Sequence, residues 1–86
     1  MSLYLATFEL QHSSDYEGVQ TVLENYDDSW QACEGAWCIK TNQAVSDIRD
    51  RLAERIGHAD RVLITEMGED WAANNIKNVD WLNNYK

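Results

Sequence analysis

The sequence predicts an α+β domain: a four-stranded antiparallel sheet with two helices on one face. Three observations lead there. Two apolar runs without breakers stand near the start and in the second half of the chain, at Leu3 to Leu10 and Arg61 to Met67. Two stretches carry apolar residues at helical spacing, and two short Trp-bearing runs flank Glu34-Gly35. In order these read strand, helix, strand, strand, helix, strand, the ferredoxin-like βαββαβ pattern. At 86 residues the chain forms one domain, 1–86, because a second would need roughly 100 residues of its own.

The first strand has Tyr4, Ala6, Phe8 and Leu10 on one parity and Leu3, Leu5, Thr7 and Glu9 on the other. Both faces are largely apolar, which suits a central strand. Ser14-Asp15-Tyr16-Glu17 has the form of a capping box, so a helix is expected to begin there, with Tyr16, Val19, Val22, Leu23 and Tyr26 at helical spacing. Asp27-Asp28-Ser29 forms its exit.

Trp30 to Cys33 and Ala36 to Thr41 then read as a hairpin turning at Glu34-Gly35. With Cys33 opposite Ala36, one face would hold Trp30, Ala32, Trp37 and Ile39, and the other Gln31, Cys33, Cys38 and Lys40. That assigns Trp30 and Trp37 to the core. For the second helix, Thr41 or Asn42 is the expected cap, Val45, Ile48, Leu52 and Ile56 the apolar stripe, and Gly57 the left-handed stop. Asp47 and Arg51 add an i,i+4 pair. Within the tail, Glu69 to Lys86, the residues Trp81, Leu82 and Tyr85 predict a short helical anchor.

Seven basic residues stand against fifteen acidic, a net charge of −8. Such a field repels phosphate polymers, so nucleic acid is not the default partner. With no apolar run near the ~20 residues that span a bilayer, no membrane segment is expected. Two cysteines, no Pro and no charged-then-apolar leader point to the cytoplasm. Helices on one face of the sheet would leave the other parity of the outer runs bare. A homodimer is the commonest cover for such a face. Leu3, Leu5, Leu63 and Thr65 are the expected interface residues, joined by Trp71 and Trp81 because the tail has little else to bury.

The chain from about residue 3 to about 72 resembles the SinR-like family of small bacterial and phage-borne proteins, relatives of the CRISPR-associated Cas-two subunit. The resemblance is carried by Leu3-Tyr4-Leu5-Ala6-Thr7-Phe8-Glu9-Leu10, Asp15-Tyr16, Ala36-Trp37-Cys38-Ile39-Lys40-Thr41, Asp47-Ile48-Arg49-Asp50-Arg51-Leu52, Asp60-Arg61-Val62-Leu63-Ile64 and Trp71. It implies a ferredoxin-like homodimer packed through sheet faces and a metal-dependent nuclease activity. In the Cas-two pattern an Asp ends the first strand and meets its counterpart across the dimer axis. Here Glu9 stands at that position, and Gly35-Ala36 precede Trp37 where the pattern has a Ser.

Each candidate residue has a plainer reading beside the chemical one. Glu9 is either a catalytic group and ligand for Mg²⁺ or Mn²⁺, or the solvated end of a strand. His12 is an acid/base or a loop residue. Cys33 and Cys38 are a redox or soft-metal pair, or small apolar fillers. Lys40, Arg49, Arg51, Arg55 and Arg61 are a phosphate-binding edge, or a surface neutralised by Asp47, Asp50, Glu54 and Asp60. No Gly-rich phosphate loop, nucleophile elbow or His-Glu metal helix occurs. The expectation is therefore a non-catalytic acidic homodimer without a cofactor, acting through protein–protein contacts. The alternative is a nuclease using Glu9 from both subunits.

Overall fold

The computed structural model describes residues 2–68 and 70–83. The elements are β1 (Ser2–Glu9), α1 (Ser13–Glu24), β2 (Asp28–Cys33), β3 (Ala36–Thr41), α2 (Val45–Ala53), β4 (Arg61–Glu66) and α3 (Asp80–Asn83). The strands form one antiparallel sheet in the order β2-β3-β1-β4, the ferredoxin-like arrangement. No helix among the described residues is long and apolar enough to cross a membrane. Tyr85, expected in the tail helix, and Glu69, the first residue of the tail, lie outside the described residues.

The core follows from strand parity. Tyr4, Ala6 and Phe8 turn to the same side as Trp37 and Ile39, and there meet Val19, Val22 and Leu23 of α1 and Ile48 and Leu52 of α2. Tyr16, Ile56, Val62 and Ile64 close its margins. Between β2 and β3 the chain approaches β1 so closely that a Cβ on Gly35 would sit 2.7 Å from the Phe8 carbonyl oxygen. The Phe8 amide donates to the Gly35 carbonyl at 2.9 Å, so glycine is required here for close approach.

Several local expectations are corrected. Trp30 is not a core residue: the β2–β3 register shifts between Gln31 and Cys33, which leaves Ala32 as an extra residue and puts Trp30 opposite Cys38. A one-residue bulge moves every side chain beyond it to the other face. The Ser14 box does not form, because α1 already starts at Ser13 with His12 in the cap position and no side-chain cap. Tyr16 anchors that start by tilting against Phe8, ring centroids 5.9 Å apart, and by accepting the Leu10 amide at its hydroxyl.

For α2 the cap position is Ala44, with no side-chain cap. The Thr41 hydroxyl is used one step earlier, accepting the Gln43 amide at 3.2 Å. The helix stops at Ala53 with Glu54 in a right-handed conformation, and no described glycine has positive φ. Gly57 instead donates its amide to Asp60 at 2.8 Å. Arg51 places its guanidinium 4.8 Å from the centre of the Tyr26 ring rather than pairing with Asp47. Among the described residues the left-handed ones are Asn75 and Asn78, both at φ 61°, which turn the Asn-rich tail; asparagine tolerates that conformation better than other residues with a Cβ.

Candidate functional site

The face of the sheet away from the helices carries the expected interface residues. Leu3, Leu5, Thr7 and Glu9 of β1 share it with Arg61, Leu63 and Thr65 of β4, since Leu5 pairs with Thr65, Thr7 with Leu63 and Glu9 with Arg61. Cys38 and Trp30 lie on the same face through the pairs Leu5–Cys38 and Trp30–Cys38. Leu3, Leu5, Leu63 and Thr65 are thus brought together as strand parity predicts.

This face is not bare throughout. After β4 the chain folds back over its β2–β3 half. The Met67 sulfur lies 3.6 Å from the Cys38 thiol, and Cys38 is only 2% exposed. Burial pushes that thiol up to about 11, so it stays protonated at neutral pH. The Trp81 indole stacks on Trp30 with centroids 5.7 Å apart at 18°, and its Nε1 donates to the Asp28 carboxylate at 3.1 Å. Leu82, next to Trp81 in α3, is buried. Trp81, expected between two copies, therefore has its contacts within its own chain. Trp71 is half-buried and engaged as well. What remains open is the β4 side: Leu63 is 66% exposed, and Thr65 is exposed beside it.

Glu9 ends β1 at the rim of this face. Its carboxylate sits 3.6 Å from the Arg61 guanidinium, with both side chains largely exposed. A pair in that setting contributes little stability. It does supply the carboxylate with a counter-charge that a metal would have to displace. Among the described residues no three His, Cys, Asp or Glu side chains gather to hold a metal ion. Cys33 is exposed, Cys38 is buried, and both are free thiols.

The basic cluster does not assemble into one edge. Arg49 pairs with Asp50 at 3.0 Å, Arg61 with Glu9, and Arg51 lies over Tyr26. A concavity of about 430 Å³ lies at the opposite end of the sheet from Glu9, where Arg51 and Lys40 join Asn25, Asn42 and Gln43. Gln43 is fixed there by accepting the Tyr26 hydroxyl at 2.9 Å. Burial raises the Tyr26 phenol above its ordinary range, against the lowering effect of Arg51.

Sequence reasoning missed one acidic constellation. Asp60 accepts the Gln11 amide at 2.7 Å and the Gly57 amide at 2.8 Å, tying the loop after β1 to the loop before β4. These backbone donors, Gly57 first, lower its pKa. Asp15 is raised, chiefly by its hydrogen bond to Asp60. The available signal was Gly57 three residues before Asp60, the spacing of a carboxylate that closes its own turn. Two backbone bonds explain Asp60 as a loop clasp. No protein-family profile matches the chain, and comparison with curated proteins finds no match.

Proposed function

We propose that this chain is a non-catalytic, acidic homodimer, Cas-two-like and SinR-like in kind, that works through protein–protein contacts. The observation carrying this reading is the open β4 side of that face, with Leu63 66% exposed while the tail lies against Trp30 and Cys38 on the β2–β3 half. An exposed leucine at the middle of a regular strand is a contact residue in search of cover. Two free cysteines suit a reducing compartment, so the cytoplasm is the proposed location.

Catalysis by Glu9 with Mg²⁺ or Mn²⁺ has less in its favour. Arg61 stands 3.6 Å from the carboxylate as a competing cation, and −8 per subunit opposes a polyanionic substrate. The test pairs two measurements on purified protein. Single- and double-stranded DNA and RNA should stay intact with either metal, and Leu63→Lys should abolish self-association while leaving the circular-dichroism spectrum unchanged. Metal-dependent cleavage that disappears in Glu9→Ala would contradict the proposal.

A further inference from the structure

The order β2-β3-β1-β4 leaves two edges, and they are not equivalent. At β2 the ladder is interrupted by the bulge between Gln31 and Cys33, and Trp81 closes over Trp30 and Asp28. Bulges and covering segments are the usual means of blocking an edge. β4 has neither. It pairs with β1 in unbroken register over six residues, from Glu9–Arg61 to Tyr4–Glu66.

Two backbone hydrogen bonds fix which groups of β4 face outward. The Phe8 amide donates to Gly35 on the β3 side, and the Met67 amide donates to Leu3 on the β4 side. Hydrogen bonding alternates along a strand, so odd residues of β1 bond β4, and Arg61, Leu63 and Thr65 bond back. Val62, Ile64 and Glu66 therefore turn their N–H and C=O groups to the open edge. Beside that edge runs a groove of about 200 Å³ lined by Val45, Ser46, Arg49, Val62, Leu63 and Ile64, none of them acidic. Val45, at 42% exposure, and Leu63, at 66%, are the large apolar side chains left exposed among the described residues. Both flank this one groove.

We infer that β4 pairs antiparallel with β4 of a second copy, merging two four-stranded sheets into a single sheet of eight. The inference rests on the homodimer proposed above and names its contact, in place of face-to-face packing. A two-fold axis along the sheet normal keeps each face on its own side, so odd residues must oppose odd ones. Two registers are then reasonable. Centring on Leu63 sets it against Leu63 of the partner subunit, Val62 against the partner's Ile64 and Arg61 against the partner's Thr65. Centring on Ile64 would set Val62 against the partner's Glu66, so the apolar pattern selects the first. The leucine pair then occupies a non-hydrogen-bonded position, where side chains approach most closely, with Cα atoms about 4.5 Å apart.

Two subunits of −8 each repel, and the lining of this groove adds no acidic side chain to the contact. In this register Glu66 stands opposite the partner's Asp60, with the partner's Arg61 next in line.

Amide hydrogen exchange of the full-length protein, followed by NMR at concentrations where it is dimeric, tests the pairing. Val62 and Ile64 amides should exchange as slowly as Leu63 and Thr65, which bond β1 in any case. In parallel, Leu63→Cys in a Cys33→Ser background should form an intersubunit disulfide on mild oxidation, because that Cα separation falls within disulfide range, whereas Leu5→Cys should not. A dimer with rapid exchange at Val62 and Ile64 and no Leu63→Cys cross-link would overturn the edge pairing and leave the homodimer standing. A monomer would overturn both. Protection that appears only after another protein is added would mean that the edge takes a different partner, and the inference fails.

Discussion

The two cysteines show how position along a strand sets chemistry. Cys33 ends β2 in solvent, whereas Cys38 lies under Met67 with its thiol raised to about 11 by burial. Thiolate is the reactive form, so alkylation of the native protein should modify Cys33 and spare Cys38. Mass spectrometry after a short iodoacetamide pulse should find one adduct, and two after unfolding in denaturant. Equal native labelling of both would mean that the tail does not cover this face. Asp60 is the second residue whose surroundings set its behaviour. Its lowered pKa means that the ionised carboxylate is stabilised by folding, chiefly through the Gly57 amide. That contribution is complete above the ordinary Asp value of about 3.9 and is lost as pH falls through the lower folded value. Urea midpoints measured from neutral pH down to pH 3 should therefore decline more steeply for wild type than for Asp60→Asn, which starts less stable at pH 7. Parallel curves would remove Asp60 as the clasp between the two loops. Asp15 is shifted in the opposite sense, raised chiefly by its hydrogen bond to Asp60, so its contribution grows as pH falls.

At the scale of elements, the tail is what turns a half-covered sheet into an asymmetric surface. α3 is only four residues long, too short to be stable alone, and is held by the Trp30–Trp81 stack and the bond to Asp28. Trp81→Ala should cost about 1–3 kcal/mol in urea unfolding, less than the ~3–5 expected for a fully buried Trp, because this indole is only half-buried. The same variant should lose the exciton signature of two stacked indoles in circular dichroism. An unchanged spectrum and midpoint would show that the tail does not dock. β1, β3, β4 and the centre of the α2 stripe, Ile48 and Leu52, were legible because their periodicities persist over several residues; the ends of that stripe were not, since Val45 is 42% exposed and Ile56 lies past the end of the helix. Trp30 was not legible: a single unpaired residue at Ala32 reverses the face of everything before it, and nothing in Trp30-Gln31-Ala32-Cys33 marks a bulge. The caps failed for another reason. Ser14 and Thr41 are suitable capping residues, but helix positions were decided by tertiary anchors, Tyr16 on Phe8 and Tyr26 on Gln43. The tail's path over the sheet carried no periodic signal, since it depends on left-handed turns at Asn75 and Asn78.

For the whole molecule, parity alone placed Leu3, Leu5, Leu63 and Thr65 on one face. It did not reveal which of them the chain itself covers, because that depends on the tail. It also left the edges unread: only the sheet order and the β2 bulge show that β4 is the strand with backbone groups to offer. The acidic charge has a clear consequence at this scale. Any self-association must overcome repulsion between two −8 subunits, so dimerisation should strengthen as salt shortens the Debye length from ~10 Å at 0.1 M. Sedimentation equilibrium of the wild-type protein at micromolar concentration and moderate salt tests the central claim most directly. The account predicts a mass about twice the 9.9 kDa of the chain, and a uniform 9.9 kDa species across the concentration range would contradict it.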